Sequence, residues 1–170
     1  MLLVDNKLKE YFPYLDLVNP ASINLTLSNK IRVPRWYWTW PLRRLAHKLD
    51  LPKWSEQKTF ERHLLMPGKF VLLSTKEITR IPDNCGAWLF LRSTYGRLGL
   101  EHSHAAFGDP GFNGPWTLEL SHIAPWPITL SAGDSVVQMI VFSSDSYPDQ
   151  TYNVTGRYQN QRGPTPAKGI

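Results

Sequence analysis

Three clusters of the 170-residue chain hold the groups that could do chemistry. The first, Leu91-Arg92-Ser93-Thr94-Tyr95-Gly96-Arg97-Leu98-Gly99-Leu100, leaves the apolar run WLFL. It places two guanidinium groups, two hydroxyls and two glycines within eight residues. Planar arginine forks beside hydroxyl donors suit phosphate oxygens, although both arginines could equally sit on solvated turns. The second cluster runs from His104 through Asp109-Pro110-Gly111-Phe112-Asn113-Gly114 into Trp116-Thr117-Leu118-Glu119-Leu120. Asp-Pro-Gly-Phe-Asn-Gly is a turn by its own chemistry, so Asp109 could simply cap it. Glu119 interrupts a β-prone run, and alternation puts it on the face of Thr117, opposite Trp116, Leu118 and Leu120. It is either a solvent-facing residue on a half-wet strand or a carboxylate lining a ligand cavity. The third cluster, Gly156-Arg157-Tyr158-Gln159-Asn160-Gln161-Arg162-Gly163-Pro164-Thr165, crowds polar, aromatic and basic groups after the last apolar run. Alone it would read as a tail.

Other chemistries have little support. Cys85 is the only cysteine, so there is no internal disulfide and no Cys-x-x-Cys zinc site of the kind zinc-dependent nucleobase deaminases use. His102 and His104 share a face if that segment is extended, but neither they nor His122 suggest a third ligand, and no metal site is expected.

The elements that must position these groups are mostly strands. Fourteen Pro and 11 Gly are too many breakers for a helical bundle, and 42% hydrophobic residues are too many for a disordered chain. One stretch near the N-terminus, with Leu8, Tyr11 and Phe12 before Pro13, predicts a short helix. Ile23, Leu25 and Leu27 alternate with polar residues as a half-buried strand, followed by a turn at Ser28-Asn29 and a second strand over 30–33. Six further runs, LLMPGKFVLLST, 77–81, AWLFLRS, WTLELSH, PITLSAGD and VVQMIVFSS, predict short strands of a sandwich, jelly roll or barrel. Residues 34–62 hold four of the seven Trp. They read as an inserted excursion capped by Leu42, Leu45 and Leu49, or else as a functional aromatic platform. One domain spans 1–170, with an extended tail from about residue 156.

A formal charge of +5 asks for an anionic partner. Scattered basic residues and the lack of a familiar signature make nucleic acid unlikely, and a small polyphosphate fits at least as well. No signal peptide or membrane-span pattern is visible, so a cytoplasmic location is expected.

Together, RSTYGRLGL, HAAFGDPGFNGPWTLEL, AGDSVVQMIVF and GRYQNQRGPT resemble the dCTP deaminase family of the dUTPase-related trimeric superfamily. PASINLTLSNKIRV and LLMPGKFVLLSTKEITRIP fall where that family has its first strands and its Pro-Gly turn. The resemblance implies a mainly β, distorted jelly-roll (β-clip) domain with one or two short helices. It also implies a homotrimer with interfacial active sites, and Mg²⁺ arriving with the nucleotide triphosphate. Glu119 matches the catalytic glutamate, Ser93 and Arg97 match its serine and arginine, and Ala105 falls where a backbone carbonyl helps hold the water. Arg92, Ser93, Thr94, Tyr95, Gly96, Arg97, Asp109, Thr117, Leu118, Glu119, Tyr152, Arg157 and Gln161 fall at nucleotide-contacting positions, the last group reaching phosphates across an interface. Arg157 replaces the usual lysine, Ser93-Thr94-Tyr95-Gly96 a Ser-Ser-x-Ala, Asn24 a frequent aspartate, and Gly108 an aliphatic residue.

The expected reaction is zinc-independent hydrolysis of dCTP to dUTP and ammonia, supplying deoxyuridine nucleotides for thymidylate synthesis. One carboxylate of raised pKa could shuttle the protons, while Ser93, Arg97 and backbone dipoles stabilise the tetrahedral species. A bifunctional dCTP deaminase/dUTPase, or a dUTP/dCTP pyrophosphatase in which Asp109 orients the water, is the alternative. A non-catalytic nucleotide-sensing protein is the third possibility.

Overall fold

A computed structural model describes residues 1–38, 41–103 and 105–168 of the chain. Helix α1 (Asp5–Tyr11) drives Leu8, and Phe12 just beyond it, fully into the core before Pro13 ends it. Strand β1 (Ile23–Arg32) follows, then a single 3₁₀ turn at Trp36–Trp38 and helix α2 (Arg43–Lys48). Strands β2 (Lys58–Thr59), β3 (Arg62–Leu65), β4 (Phe70–Thr75), β5 (Thr79–Arg80) and β6 (Cys85–Leu91) lead to helix α3 (Ser93–Arg97). Strands β7 (Leu100–His102), β8 (Phe107–Gly108), β9 (Asn113–Gly114), β10 (Thr117–His122), β11 (Ile128–Ser131) and β12 (Ser135–Ser143) complete the β structure, and helix α4 (Tyr152–Thr155) precedes the tail.

The principal sheet has the order β7-β10-β4-β1-β12-β6-β8, with β2 added on β1; β11 pairs with β3 and β5 with β9. Every pairing is antiparallel. The sheet curls around one core, filled by the inward residues of each alternating strand, among them Ile23, Leu25, Leu73, Leu118, Leu120 and Met139.

Ser28-Asn29 does not turn the chain. Strand β1 is continuous over ten residues: its first half pairs with β12 and its second with β2 and β4, with the register shifting between Leu27 and Ile31. A strand that slips register and changes partner carries the same small polar residues as a tight turn, and here Ser28 Oγ bonds Ser74 Oγ of β4 at 2.8 Å. Helix α2 forms as the leucine spacing predicts, but Leu42, Leu45 and Leu49 all face solvent, and Ala46 is its one buried residue. No helix among the described residues is long and apolar enough to cross a membrane.

The tail is not extended. It folds back over its own chain: the Asn113 amide donates to Gln159 Oε1 (2.7 Å), Arg32 Nε donates to the Pro164 carbonyl (3.0 Å), and Lys30 Nζ donates to the Arg162 carbonyl (2.7 Å). Gly163 and Pro164 are buried as a result.

Candidate active site

Strand β10 is held on both sides. Across β4, Thr117 faces Ser74, Glu119 faces Leu72 and Ser121 faces Phe70; on the other side, Leu120 and Ser121 pair with His102 and Glu101 of β7. The Ser103 amide also donates to the Glu119 carbonyl at 3.0 Å. Two ladders fix the backbone, and alternation then decides the side chains: Leu118 and Leu120 are sealed in the core, while Thr117 and Glu119 look into a cavity of about 410 Å³.

Of the residues singled out in the sequence, Ala105, Asp109, Thr117, Glu119, Tyr152 and Gln161 meet in that cavity. Tyr152 and Gln161 reach it within their own chain. Thr117 Oγ1 donates to Gln161 Oε1 (2.8 Å) and accepts from the Thr165 amide (3.1 Å), so the tail is tied to the strand that carries Glu119. The side chain of Leu118 is fully buried on the opposite face, a consequence of its place in the alternation. Arg157 stands outside the lining, its guanidinium donating to the Lys168 carbonyl at 3.0 Å.

The first cluster is elsewhere. Ser93, Thr94, Tyr95, Gly96 and Arg97 form α3, with Arg92 as its N-cap, and none of the six lines the Glu119 cavity. The Arg92 guanidinium donates to the Ser135 carbonyl (2.9 Å), and Tyr95 packs against the core. Gly96 borders a second cavity of about 640 Å³, with Trp88, Phe90, His102 and Ala106. Ala105 and Phe107 line the first cavity, and His102 and Ala106 the second. His104 lies outside the described residues.

The walls around Glu119 are mainly aromatic and apolar: Trp54, Phe70, Leu72, Phe107, Phe112 and Trp116 contribute. Burial among them pushes the Glu119 carboxyl from 4.5 up to about 7, although 26% of the side chain remains accessible. Its Oε2 lies 3.6 Å from His102 Nε2, beyond hydrogen-bond length, and has no hydrogen-bond partner among the described residues. A carboxyl poised between its two protonation states near neutral pH can take a proton from water and return it elsewhere. Among the described residues Asp109 is the other carboxylate lining the cavity, and no Lys or Arg lines it.

Sequence patterning alone did not reveal these walls. Alternation of Phe70 and Leu72 on β4 could have revealed two of them, but Trp54 comes from the Trp-rich segment and reaches the cavity only through the fold. Trp116 explains Gly108, which stands where the family that the sequence resembles has an aliphatic residue. A Cβ there would lie 2.4 Å from Trp116 Cη2, because the indole lies against the Gly108 backbone while its Nε1 donates to Thr79 Oγ1 (2.8 Å).

Residues 3–144 match a family model described as dCTP deaminase-like. A Rhodococcus opacus (strain B4) protein named dCTP deaminase, dUMP-forming, is 40% identical over 159 residues, covering 89% of this chain and 82% of its own. A Mycolicibacterium gilvum protein of the same name is 39% identical over 184 residues, covering 99% and 95%. The crystal structure of 2'-deoxycytidine 5'-triphosphate deaminase from Agrobacterium tumefaciens aligns with a TM-score of 0.63 at 23% identity, over 82% of this chain and 47% of that one. This chain thus spans about half the length of that structure's chain, and the likeness is one of fold. On the family match and these relatives, the chain belongs to the dCTP deaminase-like family.

Proposed function

We propose that this protein hydrolyses dCTP to dUMP, ammonia and pyrophosphate, the deamination being carried by Glu119. The observation that carries the proposal is the desolvated Glu119 carboxyl, raised to about 7 in the wall of the cavity. In the deamination step, carboxylate Glu119 takes a proton from a water as its oxygen adds to C4, and passes protons to N3 and then to the exocyclic nitrogen, which leaves as ammonia. The Ala105 carbonyl and, from α3 of a second copy, Ser93 and Arg97 orient the water and stabilise the tetrahedral species. Relatives named for dUMP formation favour dUMP over the dUTP expected from the sequence. Asp109, in the same cavity, orients a second water toward the α-phosphorus, with pyrophosphate leaving.

Two features support a site shared between copies of the chain in a homotrimer. A triphosphate needs cations, and the described lining supplies none, while α3 carries Ser93, Arg97 and Arg92 outside that cavity in its own chain. Trp88, Phe90, Phe107 and Phe142 also form an exposed cluster of edge-on aromatic pairs, and Phe107 belongs both to that patch and to the cavity wall. A second copy seated on this patch would bring its own side chains to the cavity rim.

Among the described residues no group of three His, Cys, Asp or Glu is placed to hold a metal. The cavity's donor set therefore does not fit a protein-held ion, and Mg²⁺ is proposed as part of the substrate, carried by the triphosphate oxygens. The deamination assigned to Glu119 is likewise proposed without zinc.

The test is incubation of the purified protein with dCTP and Mg²⁺, resolving ammonia, dUTP, dUMP, dCMP and pyrophosphate, with dUTP as a parallel substrate. Ammonia, dUMP and pyrophosphate in equal amounts are expected. Ammonia with dUTP alone restores the pure deaminase, and pyrophosphate without ammonia removes Glu119 from its role.

A further inference from the structure

The strand pair that carries Glu119 has a direction, and its Thr117, Glu119, Leu72 and Phe70 line the cavity. Along β10 and β4 the facing pairs run Thr117–Ser74, Glu119–Leu72, Ser121–Phe70. At the Thr117 end stand the polar groups: Gln161 and the Thr165 amide bonded to Thr117, and Tyr152 against Phe112, which itself packs on Trp116. One pair beyond Glu119, at the opposite end, Phe70 meets the indole of Trp54, with ring centroids 5.6 Å apart and a 52° tilt.

Trp54 is brought there by its own anchors. Pro34 and Trp54 form an isolated antiparallel bridge, and Arg35 Nε donates to the Trp54 carbonyl at 3.2 Å. Arg32 Nη1 donates to the Ser55 carbonyl at 2.8 Å, while the same guanidinium holds Pro164 of the tail. The segment is thus clamped so that one of its tryptophans lines the Glu119 cavity.

This arrangement bears on the base, given the reading of Glu119 as the group acting at C4. In a cytosine ring C4 lies opposite N1, which carries the sugar. Were the sugar and phosphates to lie at the polar Thr117–Gln161 end, the C4–C5 edge would point past Glu119 toward Phe70 and Trp54. An unsubstituted ring presents only an amine and a C–H to these two aromatic groups. We propose that Trp54 and Phe70 are specificity-determining residues, forming an apolar annex that receives an apolar substituent on the pyrimidine edge, so that 5-alkylated deoxycytidine triphosphates such as 5-methyl-dCTP are substrates.

The proposal rests on the deaminase reading above, and the experiment separates the two. Ammonia release is measured from dCTP and from 5-methyl-dCTP, each with Mg²⁺, for the full chain and for Trp54→Ala and Trp54→Phe, with the folded state of each variant checked by thermal unfolding. A methyl group filling an apolar pocket is worth roughly 10-fold in kcat/KM. The expected result is a kcat/KM ratio of 5-methyl-dCTP to dCTP well above one, falling about 10-fold in Trp54→Ala and largely kept in Trp54→Phe. Turnover of dCTP with 5-methyl-dCTP rejected, or a ratio indifferent to Trp54→Ala, overturns the annex and leaves the deaminase standing. Ammonia from neither substrate overturns both.

Discussion

A buried carboxyl kept for chemistry should weigh against the stability of the fold, and replacing it measures by how much. Glu119 titrates near 4.5 when the chain is unfolded and near 7 when folded, because the cavity walls disfavour its charged form. A folded pKa above the unfolded one means that the native state binds the extra proton. The stability associated with Glu119 is therefore complete below pH 4.5 and is lost as pH rises through 7. At about 1.4 kcal/mol per pH decade, the whole difference is roughly 3 kcal/mol, most of it already lost at pH 7. Glu119→Gln keeps the shape and removes the charge. The variant is expected to match the parent near pH 4.5 and to exceed it by about 3 kcal/mol at pH 7 and above, a rise in Tm of roughly 6–12 °C for a domain of this size. The assay is denaturant unfolding of both proteins at equal protomer concentration across pH 4.5 to 8.5, because mass action shifts the stability of any oligomer. A stability difference that does not change with pH, or a glutamine variant less stable at pH 7, would refute the desolvated-carboxyl reasoning.

Further consequences follow from the same geometry. Glu119→Gln should abolish ammonia release while dCTP with Mg²⁺ still raises its Tm; a variant with full turnover would end the catalytic assignment. Truncation after Tyr158 removes Gln161 and Thr165 from Thr117 and should raise KM for dCTP about 10-fold or more, given two lost hydrogen bonds and an opened cavity; an unchanged KM would show that the tail does not cover the substrate. Gly108→Val drives a side chain into Trp116 and should destabilise the protein by at least roughly 1–3 kcal/mol in denaturant unfolding, with an unaltered midpoint counting against the packing described. If the site is shared, mixing inactive Glu119→Gln with inactive Arg97→Ala after dissociation should restore about a quarter of parental activity, the share of sites that draw both intact residues by chance. Mixtures without activity would place both groups in one chain.

The strands that carry the site were legible because burial there follows the simplest period. WTLEL and the apolar run of β6 alternate cleanly, whereas β4 is buried almost throughout; the alternation along β10 alone put Glu119 and Thr117 on one face and Leu118 in the core. The two-residue strands β2, β8 and β9 were not legible, since two residues carry no period and their pairing is decided by whatever strand lies alongside. For the same reason Ser28-Asn29 suggested a turn: local chemistry cannot tell a bulge from a reversal when the difference is which partner comes next. The leucines of α2 show the converse error, a helical stripe at the right spacing with no surface opposite it.

The candidate site divides along the same line. Groups that strand alternation or the glycine-bounded turn could place, such as Asp109, Thr117 and Glu119, converge in one cavity. The arginine-bearing helix α3 does not, although its residue types ask for a phosphate as strongly as Glu119 asks for a base. A cavity with two carboxylates and no described cation cannot hold a triphosphate by itself: the anion would meet like charge and apolar walls. Either the +5 surface charge remains unused at the site, or the cations arrive from a second copy through the aromatic patch that Phe107 links to the cavity. The second alternative also accounts for a sheet face that leaves Trp88 and Phe90 nearly half exposed, at 47% and 44%. Two otherwise separate oddities, a cavity lacking cations and a face carrying surplus aromatics, then have one physical cause.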